Sequence, residues 1–227
     1  MKIGILQTGH APDELKPDLG NYDAMFAQLL AGHDFEFITW PVVDGIFPSS
    51  IHDADGWLIT GSKHGAYEDH AWIPPLEDLI RDIHAAGLPL IGICFGHQII
   101  AQAMGGKVEK FTGGWAVGRQ TYDFEGKETA LNAWHQDQVT QRPEGATVVA
   151  RNAFCENAAL LYGDKVFTVQ AHPEFHASFI DGLLRTRAPG LVPDELQEEA
   201  RQNLQNPVAT QDLADKMALF FKEKRIS

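Results

Sequence analysis

The 227-residue sequence predicts an α/β fold, an open and mostly parallel sheet flanked by helices, with a small antiparallel extension and a C-terminal helical tail. Three observations predict it. Short apolar runs alternate with helix-period segments as far as Met104, the signature of strand-helix units and a parallel sheet. Between Gly105 and Asp164 the pattern changes to short strands with Gly-containing turns. From there to the C-terminus, after one more buried strand, apolar positions fall mainly at helical spacing.

Taken in order, Ile3 to Leu6 reads as a buried strand. Tyr22, Met25, Phe26, Leu29 and Leu30 then share one face of a helix that ends before Gly32. Phe35 to Trp40 is the second strand and Trp57-Leu58-Ile59-Thr60 the third. Pro74-Pro75 opens a helix, where missing N–H groups do no harm, and Leu76, Leu79, Ile80 and Ile83 form its apolar face. Leu88 to Ile93 is a fourth strand running into Cys94, with a helix from about Phe95 to Met104 directly after it. Ala116 to Phe124 and Thr147 to Arg151 are strands of the antiparallel extension. Val166 to Gln170 returns to a buried strand. In the tail, Leu196, Ala200 and Leu204 share a face, as do Leu213, Met217, Phe220 and Phe221, with Asp194 and Thr210 as expected N-caps.

Composition narrows the function. With 44% hydrophobic residues the chain can bury a sizeable core, so disorder is excluded. Eighteen basic against 31 acidic residues leave a formal charge of −13, which argues against nucleic acid or an anionic membrane as partner. A small-molecule substrate fits better. The N-terminal apolar run is too short for a signal peptide, and no stretch approaches the ~18 residues of a membrane span, so the expected location is cytoplasmic. Two cysteines make no disulfide framework.

The chemistry is concentrated in Gly92-Ile93-Cys94-Phe95-Gly96-His97-Gln98. A strand ending in G-x-C-x-G and followed at once by a helix is the cysteine counterpart of the G-x-S-x-G nucleophile elbow. Gly92 and Gly96 remove the Cβ atoms that would clash where strand and helix approach. Cys94 then sits at a helix N-terminus, where partial positive charge favours a thiolate and the next N–H faces a developing oxyanion. A thiolate nucleophile needs a base, and the base an orienting group. His172 follows a buried strand at the same sheet edge, with Glu174 two residues on across Pro173.

Gly92 to Gln98 together with Ala171-His172-Pro173-Glu174 resembles the class I (triad) glutamine amidotransferase family, over roughly residues 1 to 185. The resemblance implies a flavodoxin-like catalytic domain of residues 1–185, with 186–227 as a helical extension packed on it. It also implies a Cys94-His172-Glu174 triad that attacks a γ-glutamyl carboxamide and forms a glutamyl thioester, which water hydrolyses. Gln98 matches the glutamine that contacts the glutamyl moiety, whereas His97 does not match the catalytic histidine. Gly61-Ser62-Lys63 stands where the family has a Ser-Gly-Gly-Pro type turn. The expected oxyanion donors are the amides of Ser62 and Phe95, with Ser62 restricting φ so that the hole forms only on ligand binding. Trp134-His135-Gln136-Asp137 is similar to the family's Ser-His-Gly-Asp segment. That makes Gln136 and Asp137, with Gly61, candidate substrate contacts in an altered pocket.

His64, Tyr67, Glu68, Asp69 and His70 read as a solvated loop at the pocket mouth rather than a metal site, since helical i, i+4 ligand spacing and a buried frame are missing. Gly105-Gly106-Lys107 lacks phosphate-loop spacing. No cofactor is expected. Gly65 to Asp69 and Trp72-Ile73-Pro74 add similarity to a stand-alone subgroup that includes γ-glutamyl peptidases. The expected activity is therefore hydrolysis of a γ-glutamyl amide. The alternatives are a glutaminase subunit delivering ammonia to a separate synthetase, and a non-catalytic binding protein with a relict site. The partner could be that synthetase or a second copy of the chain.

Overall fold

The computed structural model describes all 227 residues. Eleven strands and seven α-helices follow in the order β1 (Lys2–Leu6), α1 (Lys16–Leu19), α2 (Tyr22–Leu29), β2 (Glu36–Trp40), β3 (Gly56–Ile59), α3 (Ile73–Ala85), β4 (Leu90–Ile93) and α4 (Phe95–Ala103). Then come β5 (Lys107–Lys110), β6 (Ala116–Phe124), β7 (Lys127–His135), β8 (Asp137–Gln141), β9 (Thr147–Arg151), β10 (Ala159–Tyr162) and β11 (Val166–Val169). Three helices close the chain: α5 (Ala177–Thr186), α6 (Asp194–Asn203) and α7 (Thr210–Glu223). None is long and apolar enough to cross a membrane.

The main sheet has nine strands in the order β2-β1-β3-β4-β11-β10-β9-β6-β7. The first five pair in parallel and the rest antiparallel. The antiparallel extension is thus continuous with the parallel sheet, and only β5 and β8 pair apart from it. The strand-helix alternation up to Met104 builds the parallel half because each parallel pairing needs a crossover.

Side-chain alternation divides the core into two layers. Ile3, Ile5, Leu58, Ile91 and Ile93 face Phe26 and Leu29 of α2 and Leu213, Met217, Phe220 and Phe221 of α7. Leu6, Trp57, Ile59 and Leu90 face Leu76, Ile80 and Ile83 of α3 and Ile99 and Ile100 of α4. A third cluster seats α5 and α6 against Val117 of β6. Asp194 and Thr210 are the first residues inside α6 and α7, not their N-caps; Pro193 and Ala209 precede them and make no side-chain capping bond. Asp194 still sits where an anionic side chain meets the positive end of the helix dipole.

Register brings the functional segments together. Ile93 pairs with Val169, and Gly92 with both Thr168 and Ile59. Three adjacent parallel strands therefore end level, and the residues after them, Gly61-Ser62, Cys94 and His172, emerge at one edge. Ligands bind at this carboxyl edge in open α/β sheets.

Candidate active site

Cys94 joins β4 to α4 with φ 53° and ψ −102°, a left-handed φ that a non-glycine residue adopts only under constraint. Its constraints are visible. The Cys94 N–H donates to the Val169 carbonyl at 2.8 Å and the Gly96 N–H to the Thr60 carbonyl at 3.1 Å. A Cβ on Gly92 would lie 2.5 Å from the Gly96 carbonyl oxygen, and one on Gly96 would run into the Ile59 carbonyl. The two glycines thus let α4 start directly against β3 and β4. Phe95, the first residue of α4, carries one of the N–H groups that a helix start leaves without an intrahelical acceptor.

His172 is nearly buried, and its Nδ1 lies 2.7 Å from Glu174 Oε1. Its backbone is fixed too, because the His172 N–H donates to the Asn132 carbonyl at 2.8 Å while Asn132 Nδ2 donates to the Phe175 carbonyl. The Phe175 ring lies parallel to the imidazole, with centroids 3.9 Å apart. A Cβ on Gly61 would lie 2.9 Å from His172 Cε1, so only glycine lets the imidazole approach the β3 turn this closely. Burial alone would push His172 down. The Cys94 sulfur and then the Glu174 carboxylate beside it outweigh burial and hold the ring up to about 10, against the usual 6.5. Such a ring favours its protonated form between the Cys94 sulfur and Glu174.

The other histidines stand differently. His135 lies in the same buried region, but burial first and then the charge on His172 hold it down to about 3, and its Nε2 has no hydrogen-bond partner. His97 is likewise pushed down to about 3 by burial, and its Nδ1 meets Thr168 Oγ1 at 2.8 Å across the core. The second thiol, Cys155, is buried, and burial pushes it up to about 12.

Ser62 does not take a left-handed φ. Its Oγ donates to the Thr8 carbonyl at 2.7 Å and accepts from the His64 N–H at 3.2 Å. Thr8 Oγ1 donates in turn toward the carbonyls of Thr60 and Gly61. The turn is held in place by side chains, and the Ser62 N–H itself makes no hydrogen bond. Gln98 is buried beneath the segment after β7, where its Nε2 donates to the Asp137 carbonyl at 2.9 Å and to Gln170 Oε1 at 3.1 Å. Gln136 exchanges hydrogen bonds with the backbone of Phe111. Asp137 accepts from Tyr67 Oη at 3.2 Å, and burial raises its carboxyl.

Sequence reasoning missed Phe175, Asn132 and Thr8. Phe175 directly follows Ala171-His172-Pro173-Glu174 and could have been suspected as a lid on the imidazole. Asn132 and Thr8 carry no local signal, because they reach the site through strand pairing and a loop distant in sequence.

A parallel sheet whose carboxyl edge carries a thiol elbow and a carboxylate-bound imidazole defines an α/β protein of the glutamine amidotransferase kind. Residues 35–183 match the glutamine amidotransferase class-I family, and the chain belongs to it. Gamma-glutamyl peptidase 4 of Arabidopsis thaliana is 29% identical over 229 aligned residues, which take in 93% of this chain and 91% of that protein. A GMP synthase [glutamine-hydrolyzing] of Porphyromonas gingivalis is 30% identical over 178 residues, 69% of this chain but only 34% of that protein. The crystal structure of a glutamine amido transferase from Methylobacillus flagellatus shares the fold, with a TM-score of 0.72 at 22% identity over 99% of this chain and 92% of that one. Family and relatives together support a hydrolase of the glutamine amidotransferase type.

Proposed function

We propose that this protein hydrolyses a γ-glutamyl amide, with residues 1–185 as catalytic domain and 186–227 as an extension packed on it. The observation that carries the reading is the raised, buried His172 with Glu174 bound to Nδ1 and the Cys94 sulfur acting on the same ring. Cys94 is the nucleophile and the imidazole carries its proton. The thiolate attacks the γ-carbonyl carbon, and charge gathers on the carbonyl oxygen facing the Ser62 and Phe95 amides. The imidazolium then gives its proton to the leaving nitrogen as the C–N bond breaks, leaving a glutamyl thioester. Water, deprotonated by His172, attacks that carbonyl, the C–S bond breaks and glutamate departs. Glu174 orients the ring and stabilises its charged form. Gly61, Gln136 and Asp137 border the glutamyl end, and Gln98 supports that wall through the Asp137 carbonyl.

The likeness to GMP synthase supports a second reading, a subunit that hydrolyses glutamine and delivers ammonia to a separate synthetase. The hydrogen bond from Ser62 Oγ to Thr8 favours the first, because it holds the oxyanion turn without help from a partner. A relict site is disfavoured, since all three triad positions are filled. A panel of γ-glutamyl amides and peptides, with glutamate and amine both measured on the single chain, separates the readings. We expect a γ-glutamyl peptide or amide to exceed glutamine in kcat/KM, and substitutions between His64 and Trp72 to change leaving-group preference. Glutamine as best substrate, or activity only with a synthetase present, would install the second reading. In the same assay His172→Asn should cost about a million-fold in kcat and Glu174→Gln about ten-thousand-fold.

A further inference from the structure

The loop between the oxyanion turn and α3 brings three metal-ligating side chains together. His64, Glu68 and His70 each offer a donor atom, and these atoms all lie within 4.8 Å of one another. Glu68 Oε2 is the centre: His70 Nε2 is 2.8 Å from it and His64 Nδ1 3.4 Å. Two consecutive turns make the cluster, with the Glu68 N–H donating to the Gly65 carbonyl and the His70 N–H to the Glu68 carbonyl. The spacing argument against a metal therefore fails in three dimensions, because turns take the place of a helix in bringing residues 64, 68 and 70 together.

We propose that His64, Glu68 and His70 form a binding site for a zinc-type divalent cation. Two imidazoles and one carboxylate are a donor set that zinc takes with a fourth position left for water. Bonds of about 2.0 to 2.1 Å in tetrahedral geometry put neighbouring donors about 3.3 Å apart, so the 3.4 Å pair already fits and the 2.8 Å pair needs to open by about half an ångström. The surroundings limit how the donors can move. The His70 ring lies nearly parallel to the Trp72 indole, at 13° and 5.8 Å, and Trp72 packs on Phe95 at 5.5 Å. Gln102 Nε2 donates to the Ala66 carbonyl at 2.7 Å, and Tyr67 Oη ties the loop to Asp137. The donor side chains remain partly open to solvent, which leaves an entry path for the ion. A bound ion would bridge both ends of the loop and, through Trp72, brace the residue next to Cys94.

The test uses the full chain carrying Cys94→Ala, so that metal cannot bind the elbow thiol. Zn²⁺ is titrated calorimetrically, Co²⁺ is followed by visible absorption, and thermal unfolding is measured with and without Zn²⁺. One equivalent should bind, with cobalt bands typical of nitrogen and oxygen ligands. Glu68→Gln and His70→Ala should each weaken binding by about 100-fold or more, beyond the loss typical of an outer partner. Zn²⁺ should raise the unfolding temperature of the Cys94→Ala chain and not of the double variants. The site is overturned by an absence of saturable binding up to about a hundred-fold excess of metal. It is equally overturned by affinity that the loop variants leave unchanged, or by a thiolate-to-cobalt band that would move the ion to Cys155.

Discussion

At Cys94 and Cys155 the same side chain stands in two environments, and the difference predicts reactivity. Cys155 is held as a neutral thiol by burial, up to about 12, whereas Cys94 lies beside a cationic imidazole at a helix start. Iodoacetamide at neutral pH should label Cys94 first and inactivate the protein in step, and Cys94→Ala should abolish turnover while folding persists. Peptide mapping that found Cys155 labelled first would move the nucleophile. His172 gives a second prediction. Its folded pKa lies above the unfolded 6.5, so its charge-paired form contributes stability that is fully present below about pH 6.5 and is lost as pH rises through about 10. Urea midpoints should therefore fall across that window more steeply in the parent than in His172→Asn. Because the Cys94 sulfur is the strongest influence raising the ring, Cys94→Ala should lower the His172 pKa read from imidazole NMR shifts. An unchanged titration would mean that Glu174 alone holds the charge.

The elbow is an element-scale device. Strand, left-handed cysteine and helix are forced together because β3, β4 and α4 meet where side chains have no room. Gly96→Ala should cost about 1 to 3 kcal/mol in chemical unfolding and displace Cys94 enough to reduce kcat, since the added methyl meets the Ile59 carbonyl, part of the backbone of a central strand that cannot turn aside. A variant as stable and as active as the parent would show that the contact between helix and strand is slack. The β3 turn works in the opposite way. There a serine hydroxyl holds the backbone that a second glycine would have left free, and the N–H of that serine remains unpaired.

For the whole molecule, α7 is core rather than appendage. Leu213, Met217, Phe220 and Phe221 belong to the same buried cluster as Ile3, Phe26, Leu58 and Ile93. Phe220→Ala should destabilise by about 3 to 5 kcal/mol, a large share of the roughly 5 to 15 kcal/mol that holds a domain together. A chain truncated after residue 185 should be insoluble or unfolded by circular dichroism. Soluble, active 1–185 would show instead that the extension is dispensable.

Local pattern along the chain carries much of the architecture. Buried apolar runs marked β1, β3, β4 and β11, helical spacing marked α2, α3 and α7, and Gly92-Ile93-Cys94-Phe95-Gly96 announced the elbow, because each signal lies within a few residues along the chain. The rest follows from long-range packing. That β10, β9, β6 and β7 continue the parallel sheet depends on which edges remain open once the first five strands have paired. That Phe175 covers His172, that Thr8 holds Ser62, and that His64, Glu68 and His70 converge depends on contacts set by strand register and turns. Gln98 shows the same division: the motif made it a candidate contact, but only the structure shows its amide bound to the Asp137 carbonyl. Chain-local chemistry is written in spacing, whereas the partners of a buried polar group are chosen by the fold that surrounds it.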